Sequence, residues 1–182
     1  EDGIRDVERS RGLGDVYKRQ IVVWDYYGGK QIQAGDTISL GDIELLKYEE
    51  TYQTTTWVGV VQKESATFVF VVKNEGKGDL YFTGEVETEI ETEKELEYPY
   101  YNIVWLENEM EVEYAPVIEP GGKSRGIKVI IDFDDGWYGE YLLEDYELLK
   151  EGIVKITVPT NDPGGDFVFY LSFNVIESEL VF

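Results

Sequence analysis

Residues 66–83 read ATFVFVVKNEGKGDLYFT, and this stretch decides the fold class. Ala66–Lys73 is rich in β-branched and aromatic residues, which suit a pleated, buried surface. Asn74-Glu75-Gly76-Lys77-Gly78-Asp79 follows, where Asn and Gly supply turn conformations. Leu80–Thr83 then starts another strand. The stretch therefore predicts a central strand, a turn and a second strand.

The same rhythm extends in both directions. Upstream, Ile21–Trp24 is a short apolar run closed by Tyr27-Gly28-Gly29, and Gln31–Gln33 and Thr37–Leu40 flank the turn Ala34-Gly35-Asp36. Downstream, Ser124–Phe133 follows the turn Pro120-Gly121-Gly122. Ile153–Val158 runs into Pro159-Thr160-Asn161-Asp162-Pro163-Gly164-Gly165, and Asp166–Ile176 is a final long strand. Glu140–Lys150 is the one stretch that suits either a short helical turn or an irregular strand. Strong helical periodicity appears nowhere. Many short strands with regular turn signals predict an all-β, immunoglobulin-like antiparallel β-sandwich.

Composition narrows the chemistry. The chain has 182 residues, enough for one ordinary domain with a real core. It contains neither Cys nor His. Disulfides, thiolate nucleophiles, Cys/His zinc sites and every triad with a His base are excluded. Carboxylate pairs and Ser–Lys arrangements stay open. The formal net charge is −22, a field that opposes binding to nucleic acid or anionic lipid and suits cations or a basic partner. No apolar run approaches the roughly 20 residues of a membrane helix.

A composition break separates residues 1–20 from the rest. That segment holds Arg5, Arg9, Arg11 and Arg19, and only Arg125 lies beyond it. Its tail, GDVYKRQ, resembles a translated sequencing-adapter fragment of the kind found at the ends of metagenomic contigs. The expectation is a non-native or unstructured segment at 1–20, a sandwich domain at 21–177 and a short tail at 178–182.

Three blocks carry a family resemblance: GGKQIQAGDTISLGDIELL at 28–46, ATFVFVVKNEGKGDLYFTG at 66–84, and VIEPGGKSRGIKVIIDF at 117–133, with GIVKITVPTNDP at 152–163 behind them. Together they resemble the prokaryotic choice-of-anchor D repeats. These are relatives of the ASH-like domains of abnormal-spindle and hydin proteins. Asn74, Gly76 and Leu80 match the first element of that pattern, Pro120 and Gly121 the second, and Asn161 and Asp162 the last. Asp132-Phe133-Asp134-Asp135-Gly136 departs from it, standing where the family has a Pro-bearing turn. So does the long acidic connection Glu85–Tyr114. The resemblance implies a repeat module without catalytic residues, in a larger cell-surface or secreted protein.

The acidic connection is the most unusual stretch. Glutamates occupy 85, 87, 89, 91, 93, 95 and 97, and a second ladder runs through Glu107, Glu109, Glu111 and Glu113. A strand alternates faces at every residue, so each ladder would present one carboxylate face. The two ladders, joined through Tyr98-Pro99-Tyr100-Tyr101-Asn102, suggest an extended acidic β-hairpin. The plain reading is a solvated face that discourages edge-to-edge aggregation. The functional reading is a partner-binding surface at Glu87, Glu89, Glu91, Glu93, Glu107, Glu109 and Glu111.

Two further features invite chemistry. Asp132, Asp134 and Asp135 offer hard oxygen ligands of the kind Ca²⁺ takes, although EF-hand spacing fails and a polar turn explains them as well. Trp57, Trp105 and Trp137 would suit a sugar-stacking platform if exposed, or core packing if not. The leading expectation is thus a non-catalytic structural or adhesive module of an extracellular or cell-envelope protein, bound to protein partners or neighbouring repeats and without a cofactor. The alternative is a Ca²⁺- or carbohydrate-binding sandwich.

Overall fold

The structure, a computed structural model, describes residues 19–91, 100–107, 110–112, 117–124, 126–132, 139–146 and 150–180. It is a sandwich of two six-stranded sheets. In the first sheet β1 (Ile21–Asp25) lies between β2 (Gln31–Ile32) and β5 (Ala66–Asn74). Beyond β5 come β9 (Ile127–Asp132), β7 (Tyr100–Glu107) and β8 (Met110–Val112). In the second sheet the order is β10 (Gly139–Leu142), β4 (Thr55–Gln62), β3 (Thr37–Tyr52), β12 (Phe167–Glu179), β11 (Glu151–Val158) and β6 (Glu87–Ile90).

The central-strand reading of Ala66–Lys73 holds. Phe68 through Val72 are all buried, so β5 is covered on both faces. Its inward residues Phe68, Phe70 and Val72 join Ile127, Val129 and Ile131 of β9. They face Phe167, Phe169, Leu171, Phe173 and Val175 of β12. The Phe70 and Phe169 rings meet edge to face at 5.2 Å between centroids, joining the two sheets. Such pairs favour this geometry because a ring edge is positive and a ring face negative.

Strand β3 shows how local sequence sets the register. Its inward apolar residues are Ile38 and Leu40, then Ile43 and Leu45. That change of parity would turn one half of the strand inside out. Gly41, at φ +81°, absorbs the mismatch. Between Ser172↔Ser39 and Asn174↔Asp42, β12 advances two residues and β3 three. The extra residue is a β-bulge, for which a left-handed glycine is suited. The strand therefore continues well past Leu40, where the sequence reading stopped.

Several expectations change. β3 and β12 pair in parallel, so the sandwich is mixed rather than purely antiparallel. The two acidic ladders do not form one hairpin: β6 pairs with β11 in the second sheet, whereas β7 pairs with β9 and β8 in the first. Local alternation fixes which face a residue takes but not which strand it meets. Glu140–Lys150 gives the short strand β10, then a 3-10 turn at Leu143–Asp145. β12 runs on through Ser178 and Glu179, into the expected tail.

The chain enters and leaves at opposite poles. Ile21, Asn74, Val158 and Phe167 lie together at one pole. At the other, Gln62 Nε2 donates to the Ile131 carbonyl at 3.5 Å, and Gln62 pairs with Leu45, itself beside Glu177.

Candidate interaction surface

The residues that match the family pattern converge at the entry pole, where their polar atoms bond the protein's own backbone. Asn74 is fully buried. Its amide donates to the carbonyls of Gly78 and Ile118, each at 2.8 Å, and its Oδ1 accepts from Gly76 N at 2.9 Å. Pro120 and Gly121 form the tip of a turn closed by Gly122 N to Glu119 O at 2.8 Å, and Gly121 N donates to Asn74 O. Asn161 Oδ1 accepts from Tyr81 N at 2.9 Å, while its Nδ2 donates to Asp79 O at 3.1 Å.

Asp162 closes the pole. Its side chain has no exposed surface. Oδ1 accepts from Gln20 N at 2.6 Å and Ile21 N at 2.8 Å, and Oδ2 accepts from Gly164 N at 2.8 Å. The Arg19 guanidinium sits 3.5 Å from Oδ2 and 5.4 Å from the Phe167 ring centroid. Arg19 and Gln20, placed by composition in the N-terminal segment, are therefore held by the sandwich. Residues 1–18 lie outside the described residues. With its acceptors taken by backbone N–H groups, Asp162 stitches strand β1 to the β11–β12 turn.

The acidic ladders fall on two sheets. Glu85, Glu87, Glu89 and Glu91 are exposed, while Val86 between them is 4% exposed, so the expected alternation is present. Glu89 stands directly opposite Lys155, and Glu87 opposite Thr157. Glu107 pairs with Met110, and Glu111 with Leu106, in the β7–β8 hairpin. Glu93 and Glu109 lie outside the described residues. The partner-binding glutamates thus do not share one strand pair.

Asp132 ends β9, opposite Tyr100. Asp134 and Asp135 lie outside the described residues, as does Trp137. Trp57 and Trp105 stand on different sheets, β4 and β7. Trp57 and Trp105 are thus not neighbours in one sheet.

Trp57 instead joins residues that the sequence reading passed over. β3 and β4 form a long hairpin whose pairing runs from Leu45↔Gln62 to Tyr52↔Thr55. Val58 is fully buried, so its neighbours Trp57 and Gly59 face outward. In register with them stand Glu50, opposite Trp57, and Tyr48, opposite Gly59. A side chain at Gly59 would collide with the Tyr48 ring, which lies over that glycine. Tyr52, two residues beyond Glu50, is 72% exposed, and Trp57 is 38% exposed. The signal in the sequence was the alternation Tyr48-Glu50-Tyr52. It was hidden because the turn after it, Gln53-Thr54, lacks Gly, Asn and Asp.

The opposite face of the same hairpin carries a polar cluster. Lys47 Nζ lies 3.5 Å from Glu49 and 3.8 Å from Glu177. Tyr146 donates its hydroxyl to Glu177, and Lys47 Nζ stands 5.5 Å from the Tyr146 ring centroid. Burial, then the hydrogen bond to Glu177 and its charge, raise the Tyr146 pKa above the ordinary tyrosine value. On the outer face, a hydrogen bond with Ser178, with the nearby Lys63, holds Glu44 below the usual carboxylate range.

No family model and no curated protein matches the chain. Among solved structures, the CooA pilin subunit from enterotoxigenic Escherichia coli is similar at 8% sequence identity and a TM-score of 0.35. The match covers 86% of this chain and 99% of that one.

Proposed function

We propose that the chain is a non-catalytic, structural or adhesive immunoglobulin-like module of a larger cell-surface or secreted prokaryotic protein, of the choice-of-anchor D or ASH-like kind. One observation carries the reading. The chain enters the sandwich at the pole fastened by Asp162 and leaves at the opposite pole along β12. A module whose chain enters at one pole and leaves at the other can be joined to its neighbours end to end through short linkers. The entry pole suits the role, because Asp162 holds the start of β1 while Asn74 and Asn161 tie the neighbouring turns to one another. Protein neighbours, rather than nucleic acid or membrane lipid, fit the net charge of −22.

Small-angle scattering from two copies of residues 19–180 joined in series tests this. The expected maximum dimension is close to twice that of one copy. A compact pair lying side by side would count against the serial reading.

A further inference from the structure

We propose that the outer face of the β3–β4 hairpin is a docking surface for a positively charged segment of a partner protein. Arg or Lys side chains of that segment would lie across Tyr48, Trp57 and Tyr52 and pair with Glu50. The proposal deepens the reading of the chain as an interaction module by naming the surface and the partner's chemistry.

Tyr52 is among the most exposed large side chains of the described residues, Trp57 is partly exposed, and the two stand on one face of one hairpin. Exposed apolar side chains that lie contiguously, rather than scattered singly, mark contact sites. Tyr48 covers Gly59, which accounts for its position. Tyr52 lies near the hairpin tip, beyond the end of β12 at Glu179, which pairs with Lys47. Along a strand, residues two apart are separated by roughly 6.6 Å, with the facing strand roughly 4.8 Å away. Tyr48, Trp57 and Tyr52 thus form a zigzag of rings with Glu50 in its middle.

Charge selects the occupant. Glu50 has no ion-pair partner among the described residues, whereas Lys47 is held by Glu49 and Glu177, and Lys63 by Glu44. A carboxylate set among aromatic faces suits a cation that can stack and hydrogen-bond together, and guanidinium does both. A second copy of this chain would bring another net charge of −22 to the contact, which repels. Anionic partners are opposed for the same reason.

The probes are hexa-arginine and hexa-lysine peptides in about 0.15 M salt, where long-range attraction is screened. Amide chemical-shift mapping should place both on residues 46–52 and 55–61, with hexa-arginine binding tighter. Tyr52→Ala should weaken binding by about five- to tenfold and Glu50→Gln by about threefold, because each removes one desolvated cation contact. Both positions are exposed, so thermal melting should stay near that of the parent protein. Glu87→Gln with Glu89→Gln, on the distant acidic strand, should change affinity by less than about twofold. Shifts centred on β6, or equal losses from the β6 pair, would overturn the proposal. So would cellohexaose binding on the hairpin with no peptide bound. Scattering from joined copies is unaffected by these substitutions, so the serial reading stands or falls separately.

Discussion

Asp162 has no side-chain surface in water, so its carboxylate depends on the donors around it. Gln20 N, Ile21 N and Gly164 N all point at its oxygens. Asp162→Ala removes the acceptor and strands three backbone N–H groups in a poorly solvated pole. Each stranded donor costs about 1–3 kcal/mol, and partial rehydration offsets some of this, so the expected loss is about 3 kcal/mol. Urea unfolding reads it as a lower midpoint at unchanged slope. A loss below about 1 kcal/mol would mean that water reaches the pole freely. Gly41 is a second sensitive position, for a backbone reason. At φ +81° any β-branched residue meets the following carbonyl. Gly41→Val should cost about 1–2 kcal/mol from this local clash alone, since nothing beyond the residue and its chain neighbours lies within 4 Å of the added Cβ. A neutral Gly41→Val in the same assay would refute the claim that the bulge needs a left-handed residue.

At the scale of elements, much of the sandwich was legible. β5 announced itself because a run of Phe and Val bounded by Asn74 and Gly76 has few other homes. β11 and β12 were legible through alternation, with Val154, Ile156 and Val158 inward and Phe167 through Val175 inward at every second residue. The β3–β4 hairpin was not, for two reasons. Its turn places Gln53 at φ +59°, where Gly or Asn would be expected. Its first strand changes parity at Gly41, which breaks the period-2 signal. The acidic ladders show a third limit. Their alternation was right on β6, but pairing is a tertiary choice, and β6 and β7 chose different sheets. The cluster beneath the hairpin carries a prediction of its own. Tyr146 has a raised pKa in the folded state. Its contribution is thus fully present below the unfolded tyrosine value of about 10 and is lost as pH rises through and beyond it. Between pH 9 and 11 the parent protein should lose stability more steeply than Tyr146→Phe. Parallel curves for the two proteins would show that the hydroxyl contact with Glu177 is not linked to folding.

At the scale of the molecule, charge sets the response to salt. The net charge is −22, and only 16 basic residues stand against 38 acids. Compact packing brings those carboxylates closer than the unfolded chain does, so self-repulsion disfavours folding. The Debye length falls from about 30 Å at 0.01 M salt to about 8 Å at 0.15 M. Added NaCl therefore relieves repulsion across the sheets. It also weakens the ion pairs, but among the described residues those of Lys47, Lys63 and Arg19 are few, and pairs at partly exposed sites are worth about 0–1 kcal/mol each. Repulsion should win, and the melting temperature should rise by about 3–6 °C between 0.01 and 0.3 M NaCl, the shift that 1–2 kcal/mol produces in a domain of this size. CaCl₂ at matched ionic strength separates screening from binding. Screening alone gives the same midpoint in both salts, whereas a specific oxygen site raises the calcium midpoint further by mass action. A melting temperature that falls with NaCl would mean that the few ion pairs outweigh the repulsion. The acidic surface would then be held mainly by its local partners rather than tolerated as a solvated face.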